Sequence, residues 1–156
     1  MWGTGAGRKL LAEVSDGAER AGFHWTAGWA QRRLARSITN HADPGSTTPH
    51  EALSLLERAV DNFSRMGEIT FTLVAFLTTS AALTALRDLA TAAQLRAAAH
   101  EHVRRLGLRT EVLESLSMTS PTEPPAMPTP HPDEQAAPDR PLSLRDMTAL
   151  AFDRTR

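Results

Sequence analysis

ITFTLVAFLTTSAALTAL, residues 69–86, runs for eighteen residues without a charge and is bounded by Glu68 and Arg87. Three structures compete for it. Ile69, Phe71 and Leu73 alternate with Thr70 and Thr72, the period of a half-buried strand. The run is longer than an ordinary strand, however, and no other part of the chain carries a strand signal with which it could pair. As a helix it would span roughly 27 Å against a hydrocarbon core of about 30 Å, so a single membrane span is the second possibility. Six of its residues are Thr or Ser, and arginines flank it on both sides, at 58 and 65 before and 87 and 96 after, which gives no orientation bias. The third possibility is a helix buried among other helices. The helix-favouring AALTAL that follows Thr78, Thr79 and Ser80 supports it, and the breadth of the apolar surface implies neighbours on more than one side.

The segments on either side carry the matching stripes. Thr48 as N-cap, Pro49 at the first helical position and Glu51 as capping-box partner predict a helix start. Ala52, Leu56, Ala59, Phe63 and Met66 then step by four and three, Leu53 and Val60 widen the stripe, and Gly67 ends it. Beyond the central run, Asp88 is placed to cap a helix whose inward stripe is Leu89, Ala92, Leu95, Ala99, Val103 and Leu106, with Gly107 as its stop. A helix over residues 8–21 would face inward with Leu10, Leu11, Val14 and Ala18 and stop at Gly22. Another over 26–40 would turn Trp29, Ala30, Leu34 and Ile38 inward and Gln31, Arg32, Arg33 and Arg36 outward. Residues 108–116 can add a turn or two. The expectation is an all-α fold of antiparallel helical hairpins, in which moving the central helix into lipid would strand its neighbours' apolar faces.

Composition sets the boundaries. Eight of the ten prolines fall between Pro121 and Pro141. Proline removes a backbone donor and pushes its predecessor out of the helical region, so residues 117–141 read as an extended or disordered linker. The chain thus divides into a flexible, glycine-rich N-terminus (1–7), a helical domain (8–116), the linker, and a short helix (142–153). In that last helix Leu144, Met147, Leu150 and Ala151 share a face behind a Ser143 cap. Seventeen basic and eighteen acidic residues give a net charge of -1, which supplies no overall field toward nucleic acid or acidic lipid. The absence of cysteine excludes thiolate chemistry and cysteine-ligated metals. It suits a reducing cytoplasm, and Glu13 and Asp16 interrupt the N-terminus before a signal-peptide core could form. GTGAGRK at 3–9 lacks the spacing, the Ser or Thr after lysine and the preceding strand of a phosphate loop.

Two helices repeat at an offset of forty: Ala52, Leu55, Leu56 and Ala59 correspond to Ala92, Leu95, Arg96 and Ala99. Ser80, Asp88, Ala92 and Ala99 stand at the spacing of the small residues and turn acid of tetratricopeptide repeats, with Arg87 in place of the usual turn glycine. Phe63, Gly67, Glu68, Asp88, Ala92, Ala93, Leu95, Leu106 and Gly107 make residues 52–108 resemble the C-terminal tetratricopeptide-like region of bacterial ATP-binding LuxR-type transcriptional regulators. PLSLRDMTALAF at 141–152 resembles the short helix that often closes such regions, with Arg145 replacing an acid. Neither a Walker A motif nor a complete helix-turn-helix is present. The resemblance implies a non-catalytic module that binds a protein or peptide and needs no cofactor.

The contact candidates are Trp25 and Trp29 with the neighbouring Arg32, Arg33 and Arg36, and a second basic cluster at Arg104, Arg105 and Arg109. On a helix such clusters are commonly solvated faces, and nucleic-acid contact through them is the alternative function. His100 and His102, two apart, point to different sides of a helix and do not form a metal pair. No carboxylate pair marks a catalytic cleft.

Overall fold

The computed structural model describes residues 5–41, 48–117 and 141–153. They form seven α-helices: α1 (Gly5–Arg20), α2 (His24–Asn40), α3 (Thr48–Arg65), α4 (Ile69–Ala85), α5 (Leu89–Arg105), α6 (Thr110–Ser117) and α7 (Leu144–Phe152). The all-α expectation holds, and no strand occurs among the described residues. Two starts differ from expectation: Gly5–Gly7 already belong to α1, and α2 begins at His24 rather than Thr26. The linker and the Thr48 capping side chain lie outside the described residues.

Residues 69–86 become α4 and its C-cap. Thr72 to Ser80 are buried without interruption, and α4 touches α2, α3, α5, α6 and α7. A helix surrounded in this way must satisfy its hydroxyls internally, because a buried hydroxyl without a partner costs about 1–3 kcal/mol. Thr72, Thr78, Thr79 and Thr84 each donate to the carbonyl four residues back, at 2.8–2.9 Å. Ser80 donates across to the Ala92 carbonyl of α5 at 3.0 Å. These hydroxyls are thus returned to helix backbone. No helix among the described residues is long and apolar enough to cross a membrane.

The junctions α1–α2, α3–α4, α4–α5 and α5–α6 share one recurrent turn. Gly22, Gly67, Arg87 and Gly107 adopt φ of 75°, 69°, 64° and 68°. In each turn the following amide donates back to the preceding helix: Phe23 to Ala18, Glu68 to Phe63, Asp88 to Leu83 and Leu108 to Val103, at 2.8–3.0 Å. This bond closes a Schellman cap, for which glycine is the easiest residue. Arg87 fills that left-handed position with a side chain, and Asp88 caps the next helix by accepting from the Thr91 amide at 3.3 Å. The last three turns are spaced by 87 − 67 = 20 and 107 − 87 = 20 residues, so a helix pair repeats at forty. α4 contacts α2 and α6 as well as its sequence neighbours α3 and α5, and α1 packs on α2. This packing is compatible with a tetratricopeptide-like array.

The ends of three stripes face outward instead of inward. Leu10, Met66, Leu89 and Leu106 are exposed, Leu89 by 52 %. Met66, Leu89 and Leu106 lie at the ends of α3 and α5, beyond their neighbours' reach, whereas Leu10 lies in the second turn of α1, on a side of that helix left open. One close approach had no stripe to announce it. Gly28 in α2 lies flat against Phe63, whose ring would stand 3.0 Å from a Cβ at that position.

Candidate partner-binding site

α3 and α5 each contact α7 more extensively than they contact one another. The terminal helix therefore sits as a wedge between them, with α4 beneath. Its start is locally encoded: Ser143 accepts from the Asp146 amide at 3.1 Å, while the Asp146 carboxylate accepts from the Ser143 amide at 3.0 Å. This completes a capping box and needs nothing from the array. Met147, Ala151 and Phe152 are buried in the common core, and Leu142, Leu144 and Leu150 pack against its edge. His102 of α5 donates through Nε2 to the Leu142 carbonyl at 2.7 Å, fixing where the helix enters. Sequence periodicity identified the apolar face but missed Phe152, which extends it by one position.

The arginine face of α2 is reversed relative to expectation. Arg32 and Arg36 are only 3 % and 8 % exposed, and Gln31 is fully buried. Both guanidiniums donate to the Leu116 carbonyl near the C-terminus of α6, at 3.0 and 3.2 Å. Unsatisfied carbonyls and the negative end of the dipole make a helix C-terminus a partner for cations. Burial, reinforced by Arg33, lowers the Arg32 guanidinium to about 10; burial, with Arg32 and Arg33 adding repulsion, lowers Arg36 to about 10. Both stay charged at neutral pH. The Arg32 Nε is buried without a hydrogen bond. Arg33 is half-exposed and lies over the Trp29 ring at 5.3 Å, a cation–π geometry. The outward reading of Gln31, Arg32 and Arg36 fails because α6 and α3 cover that side of α2.

The other candidates lie at the surface. Trp25 is 42 % exposed and meets Phe71 edge-on at 5.9 Å, and Phe71 in turn packs on Phe63 at 5.5 Å. Arg104 and Arg105 are exposed and both pair with Glu101 on their own helix. A shared carboxylate reduces the field such a face can offer to a polyanion.

A polar network joins α1, α2 and α3. Glu19 accepts from Arg58, from Gln31 at 2.5 Å and from Asn62 at 3.4 Å, and Asn62 donates to Gln31 at 3.0 Å. His24 Nδ1 lies 2.7 Å from the Asn62 carbonyl oxygen. The Arg58 hydrogen bond is the main reason the Glu19 carboxyl is held below its ordinary range, with burial opposing it. Between α5 and α6, Glu114 receives Arg96 at 2.9 Å and His100 at 2.6 Å, so His100 acts as a tie between helices. No group of acidic, histidine or cysteine side chains among the described residues could hold a metal ion.

No family model, curated protein or solved structure matches the chain. The groove between α3 and α5 is the feature of this fold that already holds a helix.

Proposed function

We propose that the chain is a non-catalytic, cytoplasmic module that binds a protein or peptide through the groove between α3 and α5, in association with a bacterial transcriptional regulator. The observation that carries the binding role is α7, a nine-residue helix with its own cap seated in that groove. A surface that accepts one amphipathic helix by burying its apolar face over successive turns has the chemistry to accept another. The regulator association rests on the resemblance of residues 52–108 alone.

Amphipathic helices selected from a display library against the full chain should protect backbone amides of α3 and α5 from hydrogen exchange. A library that yields no binder, or footprints confined to α1 and α2, would refute the groove. For the regulator association, the expectation is a neighbouring reading frame, or an in-frame segment, that encodes an ATPase; its absence would favour an independent adaptor.

A further inference from the structure

Arg32, Arg33 and Arg36 place three guanidinium groups on little more than one turn of α2, and the first and last of them are buried. Buried cations need negative charge beside them, because an uncompensated charge in the interior is strongly unfavourable. Elsewhere in the molecule that need is met by carboxylates: Arg58 reaches Glu19 and Asp16, Arg96 reaches Glu114, and Arg104 and Arg105 share Glu101. In α2 the acceptor is a neutral group. The Leu116 carbonyl accepts from Arg32 at 3.0 Å and from Arg36 at 3.2 Å. The helix dipole adds only about half a negative charge at that end of α6. Burial and the Arg33 charge both work against the Arg32 cation, and no carboxylate among the described residues pairs with it. Its Nε is buried with no acceptor.

We propose that Arg32, Arg33 and Arg36 form a binding site for a doubly charged oxyanion, a phosphate group, whose oxygens replace the Leu116 carbonyl as acceptors. The site shares no residue with the α3–α5 groove. Guanidinium forks match the paired oxygens of such an anion, and two negative charges offset both buried cations, where a single carboxylate would offset one. Arg33 is half-exposed and close enough for its charge to act on both neighbours, so it borders the site. The end of α6 can yield to the ligand: Leu113 is the buried residue of that helix, Leu116 is 41 % exposed, and terminal turns fray readily. The cluster is then a liability without an anion and an asset with one. Arg32→Met, which should stabilise the chain in chloride, should leave it less stable than the parent in saturating phosphate.

Calorimetric titration of the full chain with inorganic phosphate, at an ionic strength held constant with chloride, should show one saturable site and a rising Tm. Arg32→Met and Arg36→Met should each weaken binding by about tenfold or more, the loss expected for one charge-assisted hydrogen bond. Arg104→Ala with Arg105→Ala should leave it unchanged. With phosphate bound, the amides of Ser115, Leu116 and Ser117 should exchange hydrogen faster and those of α2 more slowly. Tighter binding of phenyl phosphate than of inorganic phosphate would support the site with a phosphorylated small molecule as its ligand, and the reverse order would support it with the free ion. Absence of saturable binding, acetate binding as tightly as phosphate, or full affinity in both arginine variants would overturn the proposal. If neither variant folds, the unsubstituted chain decides, since exchange at residues 115–117 that phosphate leaves unchanged would overturn it as well.

Discussion

Arg32, Arg33 and Arg36 in α2 and Arg104 and Arg105 in α5 are two guanidinium-rich helical stretches with opposite surroundings. α6 lays its C-terminal carbonyl against the first, burying Arg32 and Arg36. The second is exposed, and Glu101 offsets part of its charge from the same helix. Charge in a sequence thus reports sidedness only when nothing later in the chain covers it. A cationic side chain is long enough to bury its stem and deliver its head to a helix terminus, so an arginine cluster can be an internal clamp. In α2 that clamp ties the second helix to the sixth.

The comparison can be tested from the strongest case downward. Leu77 in α4 is buried on a helix with packed neighbours all round, so Leu77→Asp buries a charge with no partner there. A loss of more than about 4 kcal/mol is expected, and with it the cooperative thermal transition. A Tm within a few degrees of the parent would sink the description of α4 as the central helix.

Glu19 marks the intermediate case of a carboxylate shared between helices. Its folded pKa is depressed, chiefly by the Arg58 hydrogen bond, so its contribution is present above the ordinary carboxylate value of 4.5 and disappears as pH falls through the lower folded pKa. Glu19→Gln should lower stability at pH 7 by about 1–2 kcal/mol, allowing for partial exposure. The parent and variant should converge as pH falls below the ordinary carboxylate range, as read from urea midpoints across pH; parallel curves would count against the network.

Arg32→Met should have the opposite sign. The guanidinium at this site is buried, repelled by Arg33 and hydrogen-bonded to a carbonyl that Arg36 also engages. Because its folded pKa is depressed to about 10, its desolvation penalty is fully present at neutral pH and is relieved only as pH rises through that value. Removing the charge while keeping the length should raise stability by about 1 kcal/mol. A clear destabilisation would mean that the clamp is worth more than its desolvation costs.

Arg87 is an arginine placed by backbone geometry alone. Its φ of 64° is the conformation the other three turns give to glycine, so Arg87→Gly should stabilise by roughly 1 kcal/mol, visible as a rise in Tm. At the bottom of the scale, Arg104→Ala with Arg105→Ala should change stability by less than about 0.5 kcal/mol, since exposed pairs within one helix contribute little. A larger loss would require a contact for the α5 face that solvent does not provide.

How much could be read in advance differs from one feature to the next. The glycine stops, the Asp88 and Ser143 caps and the spacing of forty are local features, and each occurs where expected. The α7 face was legible for Met147 and Ala151, but the groove receiving it was not, because a groove belongs to three helices at once. Arg32 and Arg36 were misplaced for the same reason. Their burial depends on α6, about eighty positions further along the chain.

The sequence by itself determined the helices, their glycine stops and the apolar character of residues 69–86, since periodicity, capping and turn chemistry act over a few residues. Only tertiary structure decided which faces of those helices meet water. It buried two arginines at a helix terminus, returned the hydroxyls of α4 to backbone carbonyls within a closed core, and placed α7 between α3 and α5. Those outcomes follow from which helices pack together, and that depends on complementarity between surfaces far apart in the chain.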